Sequence, residues 1–190
     1  MAGAGLAMPL AVDAQMGVTT TSSFQSSSQT LRDAYRALSR TGYDRAVANV
    51  SYERAQAAHA RGEISDFELA RIHTERQRAG AAYNAARTVY RSLAAERRPD
   101  VPMPASIAAL EAAFDSARST HLLKVTSAGT AAAEARFGME DLDRQRIDGA
   151  TLDALRTREA LMTQREADAR RALNRAWDAM DAGYHDAIAS

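Results

Sequence analysis

The chain has 190 residues, with 24 basic and 24 acidic side chains, four histidines and no cysteine. A chain of this length forms one large domain or a small domain with extensions, and it needs no disulfide or metal to hold a core. The balanced charge argues against a nucleic-acid binder, which neutralises phosphates with a basic surface, and the lack of cysteine excludes thiolate chemistry.

Residues 1–30 differ in composition from the rest of the chain. They are small and apolar as far as Val18, continue as a Ser/Thr tract, and include no Lys or Arg. A secretory signal has a basic start, and a spanning helix needs about 20 apolar residues. We therefore expect an uncleaved segment that acts on a membrane or a partner, with a disordered tail as the alternative. Its larger apolar residues are Leu6, Met8, Leu10, Val12, Met16 and Val18.

A helical hairpin is predicted over residues 31–98. Its first helix is expected from about Gln29 to Arg61, before a glycine suited to a left-handed cap. A Ser-x-x-Glu capping box follows, in which the serine accepts from the glutamate amide and the glutamate carboxylate reaches back. Apolar residues flank it at the positions of a hydrophobic staple. We expect a rigid structural turn formed by Gly62, Ile64, Ser65, Glu68 and Leu69.

The second helix is predicted from Asp66 to about Arg97. Its apolar and small residues recur at a spacing of three and four, which only Arg76 interrupts. That spacing is typical of a coiled-coil seam. Because an Ala-rich chain has little large apolar area to bury by itself, we expect a homo-oligomer. The predicted oligomer seam comprises Leu69, Ile72, Ala79, Tyr83, Ala86, Tyr90 and Leu93.

The second half of the chain repeats this plan loosely. Residues 99–105 contain three prolines and predict a stiff linker. Residues 106–190 predict a second hairpin, with Ser106 capping the third helix and the last helix running from Thr151 to about Ile188. Gly149, like Gly62, precedes a Ser or Thr and the apolar start of a helix, although the identity between the two halves is too weak for a repeat. The sequence thus predicts an all-α fold of four long helices in two antiparallel hairpins, with coiled-coil-like packing and no sheet.

The histidines give no clear metal or catalytic pattern. His59 and His73 flank the first turn, but an antiparallel hairpin separates them by more than a turn, and the chain lacks the Glu-x-x-His pair of di-metal bundles. His121 and Lys124 are expected to face water or a partner, while Leu122, Leu123 and Val125 carry the apolar stripe. No glycine-rich phosphate loop and no Ser-His-Asp arrangement is present. We predict no enzyme, no cofactor and no metal site.

Two aromatic residues near the C-terminus leave two interpretations open. Trp177 and Tyr184, with Ile188, could anchor an interface or form the closing layer of the bundle. Either role would bury their large apolar surface.

The stretch from Asn49 to Ala86, NVSYERAQAAHARGEISDFELARIHTERQRAGAAYNAA, resembles the internal virion (ejection) proteins of short-tailed bacteriophages. The likeness continues more weakly in residues 121–138, HLLKVTSAGTAAAEARFG. It implies a structural homo-oligomer stored in the virion interior with core, portal and tail proteins. After ejection, such a protein helps to build a channel for DNA across the host envelope, including the outer membrane.

Residues 55–94 are also similar to the helical hairpins of TolC-like outer-membrane efflux proteins. Gly62, Ser65, Glu68 and Leu69 fall on that family's turn motif, and Gly149, Thr151 and Leu155 match it less well. The alternating apolar segments of a membrane barrel are not found in the sequence. This resemblance implies, as the alternative, a periplasmic coiled-coil protein of a transport assembly.

Overall fold

The computed structural model describes the backbone of residues 13–97 and 104–189, and the side chains of residues 27–97 and 104–187. Every regular element in these ranges is a helix: α1 (Asp13–Ala60), α2 (Asp66–Glu96), α3 (Ala105–Asp143) and α4 (Gly149–Ala189). The predicted all-α fold of four long helices is confirmed. Its longest member, α1, has 48 residues, which corresponds to about 70 Å.

Two predicted helix starts were wrong. α1 begins at Asp13 and not at Gln29, so the Ser/Thr tract is helical. Serine and threonine cost only a few tenths of a kcal/mol each in a helix, and extending an existing helix needs no new nucleus. α3 begins at Ala105 after Pro104, so Ser106 lies inside the helix and is not its cap. Residues 98–103, which include most of the predicted linker at 99–105, lie outside the described residues.

The first turn closes α1 with a Schellman motif. Gly62 has a φ of 71°, and its amide donates to the His59 carbonyl at 2.8 Å, while the Glu63 amide donates to the Ala58 carbonyl at 3.0 Å. Glycine takes this left-handed conformation without the steric cost that a Cβ adds. Ser65 then caps α2 by accepting from the Glu68 amide at 3.2 Å.

The second turn has the same backbone but different residues. Gln145 has a φ of 55°, and the Arg146 amide donates to the Asp141 carbonyl at 2.8 Å. Asp148 caps α4 by accepting from the Thr151 amide at 2.8 Å. The two turns therefore differ mainly in which side chain takes each role.

The predicted equivalence of Gly149 and Gly62 was wrong. Gly149 is the first residue of α4, and Gln145 occupies the left-handed position instead. A glutamine there carries no glycine signal, which is why the sequence pattern pointed to the wrong residue.

Both turns lie at one end of the bundle, here called the turn end. Glu63 of the first turn and Arg146 of the second form an ion pair of 2.7 Å. The chain therefore runs in the same direction in α1 and α3. The opposite end, where α2 ends and α3 begins, is called the linker end. α1 packs against α2 and α3, α3 also packs against α4, and α1 meets α4 over only a short contact.

An approximate twofold axis relates the two hairpins. The Tyr35 hydroxyl oxygen lies 3.4 Å from the Arg118 carbonyl oxygen, and these two residues are 83 positions apart. The same separation recurs in other contacts along the interface, so α1 and α3 pack in register as a parallel pair. The contacting pairs are Tyr35 with Arg118, Gly42 with Val125, Ala46 with Gly129, Arg54 with Phe137, and Glu63 with Arg146.

The core changes character along the bundle. Toward the turn end the α3 interior is made of small residues, and a Cβ on Gly138 would lie 2.6 Å from Leu155 Cδ1. At the linker end all four helices contribute large side chains, so most of the apolar burial occurs there. That cluster comprises Leu31, Tyr35, Leu38, Tyr90, Ile107, Phe114, Leu173, Trp177, Met180 and Tyr184.

Candidate functional site

A groove opens between α1 and α4, with α3 as its floor, because α1 and α4 touch only briefly. It encloses about 530 Å³, which lies within the range of small-molecule pockets. We call it the α1–α4 groove. Its lining residues are Arg32, Tyr35, Arg36 and Ser39 of α1, His121 of α3, and Glu166, Arg170, Leu173, Asn174 and Trp177 of α4.

A buried polar chain crosses the floor of the groove. His121 is 3% exposed; its Nδ1 lies 2.8 Å from the Tyr35 hydroxyl oxygen and its Nε2 lies 2.8 Å from Glu166 Oε1. An ionised carboxylate only accepts, so Nε2–H donates to Glu166. The chain joins three helices, one residue from each.

The hydroxyl of Tyr35 keeps its proton. Burial raises the pKa of Tyr35 well above its usual value, so the phenol keeps its proton and can donate to His121 Nδ1. Both ring nitrogens of His121 are then occupied by Tyr35 and Glu166. A phenol that resists ionisation is a poor nucleophile.

The expectation that His121 faces water or a partner was wrong. The apolar spacing of Ile107 and Phe114 continues through His121 and Val125, all four of which are buried, while Leu123 is 69% exposed. A histidine is tolerated at this position because two hydrogen bonds replace the water that it loses.

The indole nitrogen of Trp177 is unsatisfied. Trp177 is 2% exposed, and its Nε1 is buried with no hydrogen-bond partner among the described residues. Buried polar groups normally have a partner, because leaving one unpaired costs about 1–3 kcal/mol. The indole nitrogen can only donate, so any group that satisfies it must be an acceptor.

The pseudo-equivalent groove, between α2 and α3, is different. It encloses about 330 Å³, and residues such as Tyr90, Ala94 and Arg118 line it. By the twofold relationship, Leu38 stands in the place of His121 and Tyr83 in the place of Glu166. An apolar residue thus takes the place of the buried histidine, and this groove has a different polar contact, in which Arg118 donates to the Tyr90 hydroxyl at 3.2 Å.

An ionic cluster fastens the hairpins at the linker end. Arg97 is buried and pairs with Asp181 of α4. The same carboxylate accepts from Ser28 Oγ at 2.7 Å and from an Arg32 guanidinium nitrogen at 2.9 Å. A buried ion pair with further hydrogen bonds is costly to break by removing one partner.

A second ionic cluster lies at the turn end. Arg54 pairs with Asp141 through two bonds of 2.5 and 2.6 Å. Arg61 and Arg146 both pair with Glu63, each at 2.7 Å, and hold the pKa of that carboxyl at about 2. The bonds between Arg54 and Asp141 and between Arg146 and Glu63 join the first hairpin to the second.

The predicted turn residues lie together in the first turn. Gly62 and Ser65 have the conformation and the cap bond described above, and Ile64 and Leu69 are half-buried. The reciprocal half of the capping box differs from expectation. The Glu68 carboxylate pairs with Arg71 at 2.6 Å, because a cation on the next turn of the same face is within easy reach.

Several residues of the predicted oligomer seam belong to the chain's own core. Tyr90 is buried, and Tyr83, Ala86 and Leu93 pack against the linker-end cluster. Leu69, Ile72 and Ala79 are half-buried as well. Arg76, which interrupts the stripe, donates to Asn49 Oδ1 at 3.0 Å and lies over the Tyr52 ring. The seam therefore packs within the protomer.

The structure describes some of the remaining predicted positions and not others. Trp177 and Tyr184 are 2% and 4% exposed, so they form the closing layer of the bundle. Leu6, Met8, Leu10 and Val12 lie outside the described residues, as do the side chains of Met16, Val18 and Ile188.

The polar chain on the groove floor was missed at the sequence level, although two signals pointed to it. His121 and Glu166 each interrupt an apolar stripe, on successive helices of one hairpin. In an antiparallel hairpin with a short turn, two such interruptions at similar distances from the turn come to the same level. Tyr35 carried no comparable signal, since a tyrosine in a stripe is usually core.

Among the described residues, no group of three or more His, Asp or Glu could hold a metal ion, and no helix combines the length and hydropathy needed to cross a membrane. Comparisons of this chain with protein-family models, with curated proteins and with solved structures found no match.

Proposed function

We propose that the protein is a structural, non-enzymatic internal virion protein, stored near the portal and ejected to help form a conduit for DNA across the host envelope. The resemblance of residues 49–86 to ejection proteins supports this role. In this proposal the helical bundle is a carrier, and the small-residue N-terminal segment is the part that acts on the membrane.

The observation that carries the proposal is the reach of α1. By the in-register packing of α1 and α3, the first residue of α3, Ala105, stands level with Ser22. α1 begins at Asp13, so its first turns extend past the linker end of the bundle. These turns project from the core as a helix. Another subunit or a membrane can contact them there.

A homo-oligomer is part of the proposal. Large apolar side chains remain exposed on all four helices, and contact between subunits would remove such side chains from water. Virion core, portal or tail proteins are the further partners. The exposed residues are Tyr43, Phe67, Val89, Leu123, Met139 and Leu161.

The test is quantitative mass spectrometry of purified virions before and after DNA release, with the major capsid protein as the internal control. We expect the polypeptide in full particles and its loss from emptied particles, while the capsid protein is retained. Absence from purified virions, or full retention after DNA release, would contradict the proposal.

A TolC-like or other periplasmic coiled-coil protein is the second candidate. Two antiparallel hairpins with both turns at one end favour it, since such a tip can dock against another helical protein. Detection of the chain in the periplasmic fraction of uninfected cells, and not in virions, would support this alternative.

A further inference from the structure

The α1–α4 groove differs from the pseudo-equivalent α2–α3 groove in residues that packing alone does not require. Leu38 fills the position equivalent to His121 and is buried in the core, so an apolar side chain suits this level of the bundle. Placing a histidine and a glutamate there costs desolvation that hydrogen bonds only offset. The two grooves therefore differ in which polar residues they carry: His121 and Glu166 in the α1–α4 groove, and Arg118, which donates to the Tyr90 hydroxyl at 3.2 Å, in the α2–α3 groove.

Donors outnumber acceptors around the groove. Its α1 rim carries Arg36 and also Arg32, which already pairs with Asp178 and Asp181, and its α4 rim carries Arg170 and Asn174. Only one carboxylate, that of Glu166, lines it, and its Oε1 already accepts from His121 at 2.8 Å. The excess of guanidinium groups selects a ligand that is negatively charged.

The arginines keep donors to spare. Arg36 pairs with Asp33 through one 2.6 Å contact, and Arg170 approaches Glu166 only to 4.0 Å. Each guanidinium has five N–H groups in a planar fork, so a single ion pair leaves most of them available. Carboxylate and phosphate oxygens match that fork.

We infer that the α1–α4 groove binds a small organic anion, whose carboxylate or phosphate oxygens accept from the rim arginines. The volume of about 530 Å³ suits a metabolite-sized molecule and exceeds what a single inorganic ion fills. This site is separate from the N-terminal segment and stands whether or not the virion role does.

The chain provides its own probe for this binding. Trp177 is the single tryptophan of the sequence and lines the groove, so its fluorescence reports occupancy. The experiment titrates the full-length protein with citrate, ribose 5-phosphate and inorganic phosphate, against sodium chloride at matched ionic strength. We expect a saturable change with citrate or ribose 5-phosphate, and the preferred one identifies carboxylate or phosphate as the recognised group.

A matched pair of variants separates the groove from general ionic effects. Arg170→Gln removes a rim donor, and Arg87→Gln removes the pseudo-equivalent arginine on α2, which is exposed and is not part of the groove. Both side chains are exposed, so melting temperatures should stay close to that of the wild type. We expect Arg170→Gln to weaken binding about tenfold, the loss of one charged hydrogen bond, and Arg87→Gln to leave it unchanged. No saturable change with any of the three anions, or equal weakening by both variants, would overturn the assignment.

Discussion

Ala46 of α1 and Gly129 of α3 face each other across the approximate twofold axis, at the closest approach of the two hairpins. A Cβ on Gly129 would lie 3.1 Å from Ala46 Cβ and 2.9 Å from the Tyr43 carbonyl oxygen. The second contact is with backbone, which cannot rotate away as a side chain would. The lack of a side chain at Gly129 therefore sets the distance between α1 and α3, and with it the width of both grooves.

Gly129→Ala is expected to destabilise the protein by about 1–3 kcal/mol, the usual cost of inserting an atom into a packed interface. Gly80→Ala is the control, because that helical glycine has nothing within 4 Å of its would-be Cβ. There the substitution should add up to about 1 kcal/mol of stability. Urea unfolding of both variants measures the contrast, and a stabilised Gly129→Ala would refute the close approach.

The two turns allow a reciprocal test of the left-handed position. Gln145 has a φ of 55° and Gly62 has a φ of 71°, so glycine is favoured at both and present at one. Gln145→Gly should raise the free energy of unfolding by about 1 kcal/mol, and Gly62→Gln should lower it by a similar amount. Thermal melts report both. Changes of the same sign in the two variants would show that φ does not decide stability here.

Acid should weaken the ion pairs of the turn end. Bonds from Arg61 and Arg146 lower the pKa of Glu63 to about 2, and those from Arg54 lower the pKa of Asp141. A carboxyl whose folded pKa is depressed contributes stability that is present above its unfolded pKa and lost as pH falls through its folded pKa. We expect the free energy of unfolding to decline from about pH 4.5 toward about pH 2.

Arg146→Gln is the variant that checks this origin. The substitution removes a single cation that faces both Glu63 and Asp141. The loss of unfolding free energy with falling pH should therefore become shallower. Because Glu63 and Arg146 are exposed, high salt should screen their attraction and flatten the pH dependence of the wild type in the same direction. An unchanged pH profile in the variant would place the acid sensitivity elsewhere.

The apolar spacing and the first turn could be predicted, since they depend on local chemistry: a glycine at a helix end and Ser65 as a cap. The second turn could not, because Gln145 holds a left-handed conformation that its side chain does not signal. The sequence also could not predict which helix covers the apolar stripe of α2. A three-four spacing specifies a buried face, and only the folded chain shows that α1 covers it. Similarly, the phase of α3 through His121 depended on Tyr35 and Glu166, which lie on other helices.

The buried polar chain should behave as one unit in stability measurements. His121→Leu leaves the Tyr35 hydroxyl and Glu166, whose side chain is 19% exposed, without the ring that they contact. We expect a loss of about 1–3 kcal/mol. The double variant His121→Leu with Glu166→Leu removes the unpaired carboxylate and should regain part of that loss. A double-mutant cycle measures the coupling, and additive losses would show that the pair acts independently.

The last prediction concerns the N-terminal segment and its proposed action on a membrane. The sequence of residues 1–18 contains apolar side chains without basic anchors, and it includes Pro9, a residue type that is unfavourable inside a helix. Such a segment is too short to span a bilayer alone, so it would have to insert as an oligomer. Full-length protein should release dye from liposomes, with a steep dependence on protein concentration, whereas a chain starting at Gln29 should not. The truncated chain keeps the described core from Leu31 onward, and circular dichroism checks that it stays folded. Equal leakage from both chains, or none from the full-length protein, would remove the membrane role and leave the segment as a packing element.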